Sequence, residues 1–249
     1  RELEARPPNA GQLIANRARA AAFAQQRDAL RAQFDAALEN RSVPMHSAQP
    51  FAACQRVFGK DATYVFDGGN TAVWANFFSD ITAPGQLLST FKFGMLGAGV
   101  AQALGAQIAQ PSKRIVCLIG DGAMGFHLQE LETARRHRLP VIYVVLCDQQ
   151  WGMVKLTQSI GLGPLRSVMG ADAHGTINAD FEEMAFDKIA EAMGCHGERV
   201  ADPALLDDAL QRAAAAGKPA VIHVDVDPSM HLFAPGLQEF KAMHQEPGG

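Results

Sequence analysis

Short apolar runs recur along the chain, separated by intervals long enough to hold a helix. Thr63-Tyr64-Val65-Phe66-Asp67, residues 86–89, Ile115 to Ile119, Val141 to Leu146, residues 196–200 and residues 220–226 each have strand length. This alternation predicts an α/β fold: a doubly wound, parallel six-stranded sheet with helices on both faces, carried by residues 44–228. Residues 1–43 begin with Pro7-Pro8 and continue rich in Ala, Arg and Gln with few bulky apolar side chains, which predicts a helical connector. Residues 156–180 are Gly-rich and patternless, the signature of a long loop of the kind that forms lids. Residues 229–249 form a tail whose Met230-His231-Leu232-Phe233 is expected to pack over the site or a partner.

Composition narrows the picture. A chain of 249 residues with 48% hydrophobic content can bury one sizeable core, so one large domain with an appendage is expected. The formal charge of −4 gives no electrostatic case for nucleic acid, whose phosphates need a basic face. Arg135-Arg136-His137-Arg138 is locally basic and reads as a helix end, where the dipole favours cations. No membrane role is expected, because the apolar runs fall short of the roughly 20 residues a spanning helix needs. No signal-peptide pattern opens the chain, and the expected location is cytoplasmic. Cys54, Cys117, Cys147 and Cys195 lack paired metal spacing and read as reduced thiols, with Cys147 buried and inert. His127, His174 and His223 read as structural.

The candidate chemistry lies between residues 120 and 152. Asp121 follows one apolar run and Asp148 the next, so parallel strands bring both carboxylates to the sheet edge where ligands of α/β sheets bind. Gly120, Gly122 and Gly125 open a helix whose free amides can face an anion. Carboxylates beside a phosphate repel it unless a divalent cation lies between them, and magnesium takes oxygen ligands from both sides. A metal-diphosphate site follows. Gly120-x-Gly122-x-x-Gly125 also fits the dinucleotide fingerprint, with Asp148 as a possible ribose ligand, which keeps an NAD-binding oxidoreductase domain as an alternative. Against it stand an acid facing the pyrophosphate without a counter-ion and the presence of an earlier strand. Gly68-Gly69-Asn70-Thr71 reads as a polar turn into a helix, where Asn70 or Thr71 could serve as an ordinary cap worth about 1 kcal/mol. Phe93-Gly94-Met95-Leu96-Gly97-Ala98-Gly99 opens a small-residue stretch reaching Ala109, suited to a closely packed helix.

The segment resembles the cofactor-binding motif of thiamine diphosphate enzymes, in which Gly-Asp-Gly is followed after a strand-length interval by Asn-Asn. Here Cys147-Asp148 replaces Asn-Asn, and Asp148 lies 27 residues after Asp121 (148 − 121). An Asp still ligates magnesium but adds negative charge beside the diphosphate. The resemblance, covering about residues 44–228, implies that the side chains of Asp121 and Asp148 and the Gln150 carbonyl hold magnesium. It implies cofactor contacts from Asn70, Thr71, Gly94, Leu96, Gly120, Gly122, Ala123, Gly152 and Met153. In this pattern the Gly94 carbonyl accepts from the cofactor's 4′-amino group, the Leu96 amide reaches the pyrimidine, and the Leu96 side chain props the bent cofactor. Gln150, Trp151, Met153 and Val154 fall where substrate-facing residues begin.

Gln129-Glu130-Leu131, Leu139-Pro140-Val141 and Gly152-Met153-Val154 are most similar to the acetolactate synthase, decarboxylase and lyase group. That likeness implies a carbon-carbon lyase or carboligase acting on 2-keto acids or 2-hydroxyacyl compounds. The alternatives are a 2-hydroxyacyl-CoA lyase, a 2-keto acid decarboxylase component, or a non-catalytic cofactor-binding module. Members of the group use a pyrimidine-binding domain whose glutamate generates the ylid. The chain begins without Met, so it reads as a fragment or a subunit completed by such a partner in a homo- or hetero-oligomer.

Overall fold

A computed structural model describes residues 9–90, 93–161 and 176–231. The chain divides into two compact units, Arg1–Glu39 and Asn40–Gly249. The first holds helix α1 (Ala10–Leu38). Asn9 and Gln12 start it as a reciprocal capping pair, each side-chain oxygen accepting the other's backbone amide at 2.9 Å. Leu13, Ile14 and Phe23 are exposed on this helix.

The second unit is built on six parallel strands in the order β2-β1-β3-β4-β6-β5. They are β1 (Thr63–Asp67), β2 (Leu87–Ser89), β3 (Ile115–Gly120), β4 (Ile142–Cys147), β5 (His196–Val200) and β6 (Ala220–Asp225). Each lies within two residues of its predicted position. Helices α2 (Gln49–Phe58), α3 (Gly69–Phe78), α4 (Ala98–Ala109), α5 (Asp121–Phe126), α6 (Glu130–Arg136), α7 (Gly152–Gly161), α8 (Phe186–Ala192), α9 (Leu206–Ala215) and α10 (Pro228–His231) connect or flank them. The α6 helix carries Glu130 and Glu132 in its first turn and Arg135 and Arg136 in its last, matching its dipole as the basic cluster predicts.

Alternation along the strands sends side chains to two cores. Val65, Cys117, Ile119, Tyr143, Val145 and Val221 face one side, packed with Val100 and Leu104 of α4, Leu131 of α6 and Phe186 of α8. The intervening residues Tyr64, Phe66, Leu118, Val144 and Ile222 are equally buried on the other side, where α2, α3 and α9 pack. Phe51 of α2 meets Phe66 there edge-on, ring centroids 6.0 Å apart. A sheet covered on both faces needs apolar residues at consecutive positions, which is why β3 and β4 read as uninterrupted runs.

The order of the strands reverses at β1. The chain leaves β1 for β2 at the sheet edge, then crosses back to β3 on the far side of β1. Crossovers of opposite direction diverge from the carboxyl ends of β1 and β3 and open a crevice there. The register pairs Asp67 with Ile119 and Gly120 with Leu146, so Gly68, Asp121 and Asp148 follow the strand ends along this edge, each one residue further out than the one before.

Two expectations change. Residues 156–161 are not loop but the second half of α7, whose apolar spacing continues from Gly152; residues 162–175 of the expected loop lie outside the described residues. In the tail, Pro228–His231 is a short helix, and Leu232 and Phe233 lie outside the described residues, as does His174. Among the described residues no helix is long and apolar enough to cross a membrane.

Candidate functional site

Asp121 is the first residue of α5 and Asp148 follows β4 directly. Both are buried, at 4% and 9% exposure. The Asp121 carboxylate accepts from the Gly122 amide through Oδ1 at 2.7 Å and from the Gln149 amide through Oδ2 at 2.8 Å. Asp148 Oδ2 accepts from Gln150 Nε2 at 2.9 Å, and the same amide nitrogen donates to the Pro228 carbonyl at 3.0 Å. Burial raises the pKa of both carboxyls, and the charge of Asp148 raises that of Asp121 further. Two desolvated carboxylates that repel each other make a site that gains from a cation.

The loop carrying these groups is clamped from outside. Residues 179–181 run antiparallel to it: the Trp151 amide donates to the Ala179 carbonyl and the Phe181 amide to the Gln149 carbonyl, each at 2.8 Å. Lys155 of α7 pairs with Asp180 at 2.5 Å. These bonds use the carbonyl of Gln149 and the amide of Trp151, not the Gln150 carbonyl named as a metal ligand. Trp151 itself stands between Phe126 and Phe181, with centroids 5.8 and 4.8 Å away. Among the described residues no three His, Cys, Asp or Glu side chains gather that could hold a metal. A cation here takes two carboxylates and must find its other oxygens on the backbone and the ligand, as magnesium does in phosphate sites.

The anion side faces this pair across a cleft of about 70 Å³, lined by residues 68–71, Leu96, residues 120–123, Asp148 and residues 150–154. Asn70 and Thr71 occupy the first turn of α3. Neither is its cap, which is Gly68 at φ 110°. Asn70 is 6% exposed and its Nδ2 is buried without a hydrogen-bond partner, an expensive state for a donor unless a ligand oxygen fills it. The approach is close enough to require glycine at Gly152, where a Cβ would collide with Asn70 Nδ2 and stand 3.2 Å from Asp148 Oδ2. At Gly122 a Cβ would strike the Trp151 ring at 2.6 Å. An orphaned buried donor, a carboxylate pair and the first-turn amides of α3 and α5 fit a magnesium-bound diphosphate. They give no support to a dinucleotide site, since Asp148 sits beside Asp121 rather than out at a ribose position.

Of the twelve residues predicted for cofactor and metal, eleven line the cleft: Asn70, Thr71, Leu96, Gly120, Asp121, Gly122, Ala123, Asp148, Gln150, Gly152 and Met153. Gly94 does not. Its amide donates to the Thr90 carbonyl at 2.8 Å, the Thr90 hydroxyl donates to the Met95 carbonyl, and Gly94 itself is exposed, with φ 67°. Trp151 and Val154 line the cleft beside Met153, as do Gly68 and Gly69, whose backbone leads into α3.

Sequence reasoning missed Asp67. This residue ends β1, is 3% exposed, and accepts from the Gly68 amide through Oδ1 and the Gly99 amide through Oδ2, both at 2.7 Å. Burial raises its pKa, opposed by the amides of Gly99, Gly68 and Gly97 and by His127. The available signal was an acid at a strand end immediately before Gly-Gly. All four cysteines are buried, Cys147 as expected, and burial pushes the Cys147 thiol well up, away from the thiolate form that reacts. His223 is buried, its Nε2 3.2 Å from Asp225, while Arg199 pairs with Asp225 and Glu183.

Fold and cleft define a class: a doubly wound α/β domain whose switch point is shaped for a metal-bound diphosphate. Residues 67–224 match the family described as thiamine pyrophosphate enzyme, C-terminal TPP-binding domain, and the chain belongs to that family. Thiamine pyrophosphate, also called thiamine diphosphate, is its cofactor, and magnesium typically accompanies it. The chain is 34% identical over 195 residues to the acetolactate synthase large subunit IlvG of Mycobacterium tuberculosis, covering 78% of this chain and 34% of that protein. It is 30% identical over 167 residues to the acetolactate synthase isozyme 2 large subunit of Escherichia coli, covering 67% and 29%. A solved structure, the thiamine diphosphate-dependent 4-hydroxybenzoylformate decarboxylase of Rhodococcus jostii RHA1, superposes with a TM-score of 0.64 at 26% identity, covering 76% of this chain and 34% of that one. The chain thus spans about a third of the length of the relatives it matches.

Proposed function

We propose that this chain is the cofactor-holding part of a carbon-carbon lyase or carboligase of the acetolactate synthase kind, acting on 2-keto acids or 2-hydroxyacyl compounds. The observation that carries the reading is the buried pair Asp121 and Asp148 set opposite the orphaned amide of Asn70. Asp121, Asp148 and the Gln150 carbonyl hold magnesium. Asn70 Nδ2, Thr71 and the first-turn amides of α3 and α5 bind the diphosphate, with Gly120, Gly122, Ala123 and Gly152 leaving room for it. When bound, thiamine diphosphate supplies a carbanion nucleophile and an electron sink for making or breaking the bond next to a carbonyl. Leu96, Met153 and Val154 give the cleft its apolar wall, and Trp151, held between two Phe rings, shields the metal loop from water.

The cleft is far smaller than the several hundred Å³ that enclose an organic cofactor, which supports a site completed by a pyrimidine-binding domain or subunit in a homo- or hetero-oligomer. That partner supplies the glutamate that acts on the cofactor ring. The cytoplasm is the expected compartment. A 2-keto acid decarboxylase is the second reading, favoured by the superposition on the 4-hydroxybenzoylformate decarboxylase; a 2-hydroxyacyl-CoA lyase shares the same cofactor half. The test is turnover by the intact protein of pyruvate, aryl 2-keto acids and 2-hydroxyacyl-CoA, with thiamine diphosphate and magnesium. Acetolactate from pyruvate, abolished by Asp121→Ala, supports the first reading; aldehyde release alone supports the second, and no turnover of any of them contradicts both.

A further inference from the structure

Asp67 belongs to no ligand set, yet among the described residues it is the buried carboxylate that touches both arms of the crevice. Its Oδ1 takes the Gly68 amide, which caps α3 and leads to Asn70 and Thr71. Its Oδ2 takes the Gly99 amide in the first turn of α4. Between that turn and the cleft lies only Gly97, at φ 85°, and then Leu96, the wall of the cleft on the α4 side. Packing fixes this turn as tightly as the hydrogen bonds do. A Cβ at Gly99 would stand 2.6 Å from the Asp67 Cβ, and one at Gly97 would stand 2.6 Å from the Phe126 Cβ and 2.8 Å from the His127 ring. Glycine at these positions lets the start of α4 lie directly on the end of β1 and on α5.

We infer that Asp67 is a positioning residue that sets the distance between the diphosphate-binding turn of α3 and the apolar wall at Leu96, and so selects the whole cofactor over its diphosphate fragment. The inference rests on the cofactor reading given above. A carboxylate is suited to the task because it accepts at both oxygens. An amide accepts at one and presents a donor at the other, which would face either the Gly68 or the Gly99 N–H. With its oxygen kept on the amide of the adjacent Gly68, an Asn there loses the Gly99 bond, which frees the α4 turn and Leu96 while leaving Asn70, Asp121 and Asp148 in place.

The test is calorimetric titration of the intact protein, at saturating magnesium, with thiamine diphosphate and separately with inorganic pyrophosphate. Asp67→Asn is isosteric and is expected to weaken thiamine diphosphate about tenfold while pyrophosphate changes less than twofold. Leu96→Ala, at a half-buried wall position, is expected to give the same selective loss, and the double variant little more than either alone, because both act on one contact. Should Asp67→Asn fail to fold, Gly99→Ala, which pushes the same turn off Asp67, carries the test. Equal loss of both ligands, no loss of either, or full additivity with Leu96→Ala overturns the inference. If the unaltered protein binds pyrophosphate but not thiamine diphosphate, or neither, the cofactor reading fails first and the inference falls with it.

Discussion

The Gln149 amide donates to Asp121 Oδ2 at 2.8 Å, tying the loop after β4 to the start of α5. To make this bond Gln149 adopts φ 56°, a left-handed conformation costing a residue with a Cβ about 1–2 kcal/mol. The bond to Asp121 holds this conformation in place between two proposed metal ligands. Gln149→Val, β-branched and least tolerant of this region, is expected to lower stability by about 1–2 kcal/mol and to weaken magnesium-dependent binding. Gln149→Gly is expected to be no less stable than the parent. Urea denaturation of the two variants checks both signs.

Gly152→Ala probes the cleft from the other side. Its added methyl would collide with Asn70 Nδ2. The crowding is expected to cost about 1–3 kcal/mol and to displace the donor offered to the diphosphate. Cofactor affinity should fall at least tenfold, whereas Ala at Gly105, an exposed position of α4 where an added Cβ meets nothing within 4 Å, should change it less than threefold. Equilibrium binding of thiamine diphosphate by the two variants is the comparison to make.

Much of this was legible in the sequence because a strand buried on both faces must be apolar at every position, and β3 and β4 announce themselves that way. Asp121 and Asp148 could then be placed on one edge from their position after two consecutive runs. What stayed hidden depends on contacts between distant segments. Nothing near Asp67 in sequence indicates that Gly99 will bond to it. Nothing in residues 176–181 signals that they will pair with Gln149 and Trp151, since a two-bond bridge leaves no periodicity. Gly94 was placed on the cofactor by its motif, and it does not line the cleft of this chain, to which only Leu96 of its segment contributes. His196-Gly197-Glu198-Arg199-Val200 was found as a strand despite its polar residues, which at this sheet edge stay half-buried or exposed and pair with Arg212 and Asp225.

Asp148→Asn tests the departure from Asn-Asn. A carboxyl whose pKa rises on folding costs stability at every pH above its unfolded value, so Asp121 and Asp148, both raised by burial, weaken the metal-free fold at pH 7. Removing one charge is expected to raise metal-free stability on the order of 1 kcal/mol, the worth of about one pKa unit. The same variant should bind thiamine diphosphate better without magnesium and gain less from adding it. Thermal melts and titrations with and without a chelator give both answers.

The Arg199, Asp225 and His223 cluster carries a pH signature of the opposite sign. Burial raises the Asp225 pKa, but hydrogen bonds from His223 and Arg199 outweigh it and hold the carboxyl at about 2, against 3.8. A depressed carboxyl stabilises the fold above its unfolded pKa and stops doing so as pH falls through its folded one. Arg199→Gln should therefore cost about 1 kcal/mol at neutral pH, after allowance for solvent screening, and the gap to the parent should close between about pH 4 and 2. Denaturation midpoints of the two proteins across that range decide it.

Whether Asp121 and Asp148 bind a diphosphate through a divalent cation is decided by calorimetric titration of the intact protein with thiamine diphosphate, with and without magnesium. Asp121→Ala serves as the control. Saturable binding that needs magnesium and disappears in the control is expected. Binding unaffected by magnesium or by Asp121→Ala, or none at all by the intact protein, would overturn the assignment of this pair as the metal-diphosphate site.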